Sequence, residues 1–228
     1  MDLNYIWETF LLTLGGVPVT LLIMLAALLL SFVPALLLAL GQIHQVKGVQ
    51  LFSTIYLAFI RATPPIVLIL FFYSLLPSLL NLAFQGLGWT VDVFAIHPIW
   101  YAFAIFSLMT TGTLSEIIRS ALLTVDKGQL EAALSIGLTR RKAYVRIIFP
   151  QALRSALPNL CNLVINLVKG TSLVFVMTIK DITAIARIQA AYGYQYFESY
   201  AVIFVVYLLL CGFIQWGFNR LEKRMSPV

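Results

Sequence analysis

Between Glu8 and Lys47 the chain carries no Asp, Glu, Lys or Arg. A helix needs about 20 predominantly apolar residues to cross the hydrocarbon of a bilayer, and this stretch is longer. Further long apolar runs follow it, so the chain reads as an all-α polytopic membrane protein rather than a soluble one. A membrane barrel would need short segments of alternating polarity, and these runs are continuous. The composition agrees, with 61% hydrophobic and 11% charged residues. Five spans are expected, at Leu12–Leu40, Phe52–Leu80, Pro98–Ile118, Ile147–Ile179 and Tyr200–Phe218. Pro18, Pro34, Pro64, Pro65, Pro77 and Pro158 predict kinks or early ends within them. At this length we expect one transmembrane domain, residues 1–228, with no separate soluble module. The first 20 residues lack a basic region, so no cleaved signal peptide is expected.

The basic residues fall unevenly between the two sides of these spans. Lys180 and Arg187 lie on one side and Lys169 within a span. All the remaining Lys and Arg, including Lys47, Arg61, Arg119 and the group Arg140, Arg141, Lys142, Arg146, lie on the other. The positive-inside rule makes the crowded side cytoplasmic. The N-terminus is then outside and the C-terminus inside. The net charge of +6 belongs to this membrane asymmetry and not to nucleic-acid binding. Cys161 and Cys211 stand inside apolar runs and read as small packed side chains rather than a disulfide.

A polar insert, residues 119–150, joins spans three and four. Asp126 followed by Gln129 fits a capping box that opens a helix over Lys127–Ile136. Leu130, Ala133, Leu134 and Gly137 recur at helical spacing as an apolar strip. Gly137 suits a left-handed stop, and Thr139 can cap a second helix leading into span four. So short a helix is marginal alone in water, and its strip needs a surface. That surface is either its own bundle or a cytosolic partner. For a partner, Ala132 and Ala133 would allow close backbone approach and Glu131 would offer one charge for register.

EAA at Glu131–Ala133, then Gly137, then Ile147, Phe149 and Pro150 resembles the EAA motif of permease subunits in bacterial ABC importers. Phe149 stands where that motif usually has Leu. KGQLEAA, the RATP at Arg61–Pro64 and the KGTSL at Lys169–Leu173 resemble the polar amino-acid group of these permeases, which carry histidine, arginine, glutamine or cystine. The resemblance covers roughly Leu12 to Trp216. It implies a type I importer fold and a coupling helix, with Gln129, Glu131, Ala132, Ala133 and Gly137 at the groove of a cytosolic ATPase. The implied partners are two ATPase subunits that hold ATP and magnesium, a second permease copy or sibling subunit, and an extracytoplasmic solute-binding protein. No cofactor is expected on this chain. Ala190–Glu198 resembles cystine permeases more than histidine or arginine ones.

Span four concentrates polar residues. At 100° per residue, Ser155, Asn159, Asn162, Asn166 and Lys169 share a sector of about 80° over about 21 Å of rise. Such residues either line a solute path or hold helices and subunits together. Lys169 either guides an anionic group or snorkels to the interface. Arg61 either pairs with Glu116 as an inner closure of the path or lies among headgroups. Ser107, Thr111 and Ser115 form a small-residue strip on span three that suits helix packing. His44 and His97 have no partners at metal-ligand spacing.

No phosphate-binding Gly-x4-Gly-Lys-Ser/Thr loop occurs in the chain, and no nucleophile–base set is apparent within the spans. An ion-coupled carrier would be marked by internal inverted repeats and intramembrane acids; neither is evident. A membrane enzyme is the least supported class. The sequence is thus expected to be a translocation subunit, not an enzyme.

Overall fold

The computed structural model describes residues 2–225, and among them every regular element is helical. Helix α1 (Leu3–Leu14) starts where the Asp2 carboxylate accepts the N–H groups of Asn4 and Tyr5. It runs almost directly into α2 (Val17–Ile43) through Gly15 and Gly16. A Cβ on Gly16 would lie 2.4 Å from the backbone nitrogen of Ile182. Glycine is therefore what lets this junction press against a distant helix start.

The expected second span is two helices. Helix α3 (Lys47–Ala62) ends before Thr63, and α4 (Pro65–Gly86) begins after Pro64. Thr63 and Pro64 both have extended backbones, with ψ of 130° and 138°. Each precedes a proline, whose ring disfavours helical backbone in the residue before it. Two consecutive prolines thus cut Phe52–Leu80 where hydropathy alone continues. Helix α5 (Pro98–Thr124) starts on His97, whose Nδ1 accepts the Ile99 N–H.

Helix α5 is the axis of the bundle. Just over half of its apolar window is buried (56%), against 28%, 17% and 11% for the α1–α2 run, α4 and the last helix. It packs along α2, where Ala27, Ala35 and Ala39 are fully buried and let the backbones approach. In lipid, small residues and close packing hold helices together where hydrophobicity does not. Ser107, Thr111 and Ser115 are buried on α5, each hydroxyl donating to a carbonyl of its own helix. That strip is a packing surface.

The chain then forms α6 (Lys127–Ser135), α7 (Arg140–Ala143), a wide π turn (Tyr144–Ile148) and α8 (Phe149–Thr171). The expected fourth span ended at Ile179. Helix α8 stops at Thr171, a 3-10 turn follows, and Thr178 takes a left-handed φ of 60°. The segment expected as an outer loop contains a helix, α9 (Ile182–Gly193), and α10 (Tyr196–Met225) exceeds the fifth span at both ends. A small second core of Ile182, Val202 and Val206 joins α9 and α10 to Ile6 and Phe10 of α1. Tyr5 and Ser199 link their hydroxyls at 2.6 Å across the same seam.

Among the described residues, four helical stretches are long and apolar enough to cross a membrane: Leu3–Ile43, Pro65–Gly86, Pro98–Thr124 and Tyr196–Met225. Helix α8, with 23 residues, is long enough at about 35 Å but is not one of them. Its polar side lowers its hydropathy.

Candidate functional site

Helix α6 is held at both ends by local chemistry. The Asp126 carboxylate accepts the Gly128 N–H at 2.6 Å. A Cβ at position 128 would lie 2.8 Å from that carboxylate oxygen, so glycine gives the cap its room. The expected capping box is only half made. Asp126 reaches the second residue of the helix rather than the third, and Gln129 is exposed and, among the described residues, makes no bond back from its amide. At the far end Gly137 has φ +83°. Leu138 N–H bonds to Ala133 C=O and Gly137 N–H to Leu134 C=O, which closes the helix as a Schellman motif. Thr139 then caps α7 through the Lys142 N–H.

The two faces of α6 differ. Ala133 is 2% exposed, covered by its own subunit, and Ala143 of α7 is fully buried; Leu130 is half-buried. Only part of the apolar strip therefore packs on its own chain, where α7 and the π turn fold back beneath Ala133 and one side of Leu130; Leu134 and Gly137 stay exposed. Glu131, Ala132 and Ser135 are exposed on the opposite side, and Ile136 at the helix end is 78% exposed. The expectation that Ala132 and Ala133 both meet a partner needs correction: only Ala132 is reachable. The exposure of Ile136 was not anticipated from the sequence. A large apolar residue just before the Gly137 stop was the available signal.

From Arg140 to Thr171 the chain is one uninterrupted helical path. On α8, Ala152, Ala156, Leu163, Val164 and Leu167 are buried. Ser155, Asn159, Asn162, Asn166 and Lys169 are all exposed on the other side. Among the described residues, none of these asparagine side chains makes a hydrogen bond, and Lys169 has no ion pair. The stripe does not glue helices within this subunit. It is an open polar face, available to a second subunit or to a solute.

The Arg61 guanidinium pairs with Glu116 across α3 and α5. They line a cleft of about 610 Å³ with Gln42, Ser53 and Arg119. On the opposite end of the bundle, Lys180 is exposed and Arg187 stacks 4.2 Å over the Phe175 ring. Asp181, next to Lys180 in the chain, is fully buried. It caps α9 through the Ala184 N–H at 2.8 Å and accepts from the Tyr207 hydroxyl. Cys161 and Cys211 are free thiols.

Comparison with known proteins gives consistent matches. A family profile described as "Binding-protein-dependent transport system inner membrane component" matches residues 31–227. The chain is 34% identical over 225 residues to the L-cystine transport system permease protein TcyL of Bacillus subtilis, covering 99% of this chain and 92% of that protein. It is 33% identical over 235 residues to the histidine/lysine/arginine/ornithine transport system permease protein HisM of Escherichia coli, covering 97% and 94%. A solved amino acid ABC transporter with histidines superposes with a TM-score of 0.78 at 27% identity, covering 98% of this chain and 99% of that one. The inward-facing MetNI methionine ABC transporter shares the fold, with a TM-score of 0.69 at 16% identity over all of both chains.

Proposed function

The chain belongs to the binding-protein-dependent transport system inner membrane component family, and from that premise we propose how this permease moves its solute. It is a permease subunit of an ABC amino-acid importer, a translocation subunit whose ATP is hydrolysed on separate subunits. The family implies ATPase and solute-binding-protein partners. Our reading sets two copies of the permease, or this chain and a sibling, around one path, with two ATPases that bind ATP and magnesium below and one binding protein above. Helix α8 counts as the fifth span and residues 1–228 as one domain. The N-terminus faces outward, and the C-terminus and the 119–150 coupling loop face the cytoplasm.

In this reading the exposed face of α6, with Glu131, Ala132 and Ile136, enters a groove on the ATPase. Gln129 flanks it, and Ala133 and Gly137 hold its shape. The solute path runs along Asn159, Asn162, Asn166 and Lys169, with Arg61 and Glu116 as an inner closure. The observation that carries this is the continuous helical path from Arg140 to Thr171. It starts beside α6 and bears the open polar face, so displacement of α6 displaces the stripe. Alternating access then needs no separate linkage.

The substrate is a polar amino acid. Cystine is our first choice, supported by the similarity to TcyL, while other relatives carry names with histidine, lysine, arginine, ornithine, glutamine or octopine. The deciding experiment is uptake into proteoliposomes holding the complete complex, with a panel of labelled amino acids. ATP-dependent accumulation of cystine above the other amino acids is expected. Uptake driven by an ion gradient with no need for ATP would overturn the mechanism; ATP-driven uptake of another amino acid would change only the substrate.

A further inference from the structure

The cleft between α2, α3 and α5 has chemistry that the coupling helix and the α8 stripe do not use. Three groups that line it carry buried hydrogen-bond donors with no acceptor among the described residues: the Ser53 hydroxyl, the Gln42 Nε2 and the Arg119 Nε. Ser53 is 2% exposed and is the one fully buried position of α3, whose other residues are exposed or partly buried. A buried donor left unpaired is costly. Three in one cleft call for a group that accepts several hydrogen bonds at once. The acidic side chain in the lining, Glu116, is already engaged by Arg61. That pairing leaves the charge of Arg119 over, so the lining is formally cationic.

We propose that this cleft binds an oxyanion, a carboxylate or a phosphodiester, through Arg119, Ser53 and Gln42, with the Arg61–Glu116 pair closing one side. The volume of about 610 Å³ is many times that of a water, about 30 Å³, and admits a headgroup or a whole amino acid. Two sources present this chemistry. One is a phospholipid, whose chains would lie along the exposed apolar row Leu51, Phe52, Ile55 and Phe59 on the other side of α3. The other is a free amino acid entering from the α6 end of the bundle. The proposal rests on the cleft alone and stands whether or not the chain carries an amino acid.

The test uses the complete complex, stripped of lipid in a nonionic detergent. The unfolding midpoint is followed while dihexanoyl phosphatidylglycerol is titrated in one arm and L-glutamine in the other. A ligand that binds the folded form raises the midpoint saturably. Wild type is expected to respond in at least one arm. Arg119→Gln should weaken that ligand's apparent Kd by about tenfold or more, the loss of a charge-assisted hydrogen bond. Ser53→Ala, which removes one atom and keeps the test alive should Arg119→Gln fail to fold, should weaken it by about threefold or more. A response to the lipid assigns a phosphodiester, and a response to glutamine assigns a carboxylate. No saturable response in wild type, or equal affinity in wild type and variants, overturns the proposal and leaves the cleft to water.

Discussion

Two neighbouring alanines divide the surface of α6 between them. Ala133 is covered by its own subunit and Ala132 is exposed, so enlarging each should fail in a different way. Ala133→Leu overpacks a filled site, which costs about 1–3 kcal/mol, and should lower the unfolding midpoint of the subunit. Ala132→Leu should leave that midpoint nearly unchanged, as exposed substitutions do, within about 0.5 kcal/mol. It should still reduce solute-stimulated ATPase turnover of the reconstituted complex, and Glu131→Arg should act alike. Wild-type stimulation in both Ala132→Leu and Glu131→Arg would remove this face from the ATPase contact. Gly137→Val isolates a third effect. No described atom lies within 4 Å of the added Cβ, so the Cβ meets no clash and the cost of the left-handed backbone stands out, about 1–2 kcal/mol. Reduced coupling with normal membrane insertion is the expected result. A variant coupled as well as wild type would show that the Schellman stop is dispensable.

At the scale of elements, local chemistry was legible in the sequence and long-range placement was not. The Asp126 start, the Gly137 stop and the Thr139 cap are decided within a few residues, and each stands where its residue type predicts. The break at Thr63–Pro64 was also written locally, in two consecutive prolines, and it falls where Pro64 and Pro65 predict an early end. Asp181 looked like a loop charge because its burial depends on Tyr207 of α10, far along the chain, and on the Gly16 junction pressed against the start of α9. The polar sector of α8 could be computed from spacing; which way it faced could not. With that face now seen to be open, a labelling experiment follows. In a Cys161→Ala, Cys211→Ala background, single cysteines at Asn159, Asn162 and Asn166 should react with a small water-soluble thiol reagent in at least one nucleotide state. Cysteines at Leu163 and Leu167, both buried, should not. Protection of all three asparagine positions in every state would make the stripe a sealed seam between subunits. Lys169→Met then separates its two readings: loss of solute affinity or rate means that the ammonium guides the solute, and unchanged transport means that it only reaches toward water.

Across the whole molecule the charge is arranged by end. The end that bears α6 collects most of the basic residues, while the opposite end has Lys180 and Arg187 near the start of α9. These two cations differ in what else they do. Arg187 also packs, stacked over Phe175, so reversing its charge mixes electrostatics with lost contact. Lys180 is exposed and takes part in no ion pair among the described residues, which makes it the cleaner probe of partner docking. Charges at the rim of an interface act mainly on the rate of encounter and lose influence as salt screens them. If the solute-binding protein docks at this end, Lys180→Glu should lower its association rate constant in low salt, and the difference from wild type should shrink as ionic strength rises. Its dissociation rate should change little, and the subunit's unfolding midpoint should stay the same because the side chain supports no packing. Surface-immobilised complex in nanodiscs, with the binding protein in flow, measures both rates. An association rate equal to wild type at low salt would place the docking surface away from α9. A change confined to dissociation would instead make Lys180 part of a buried contact rather than its rim.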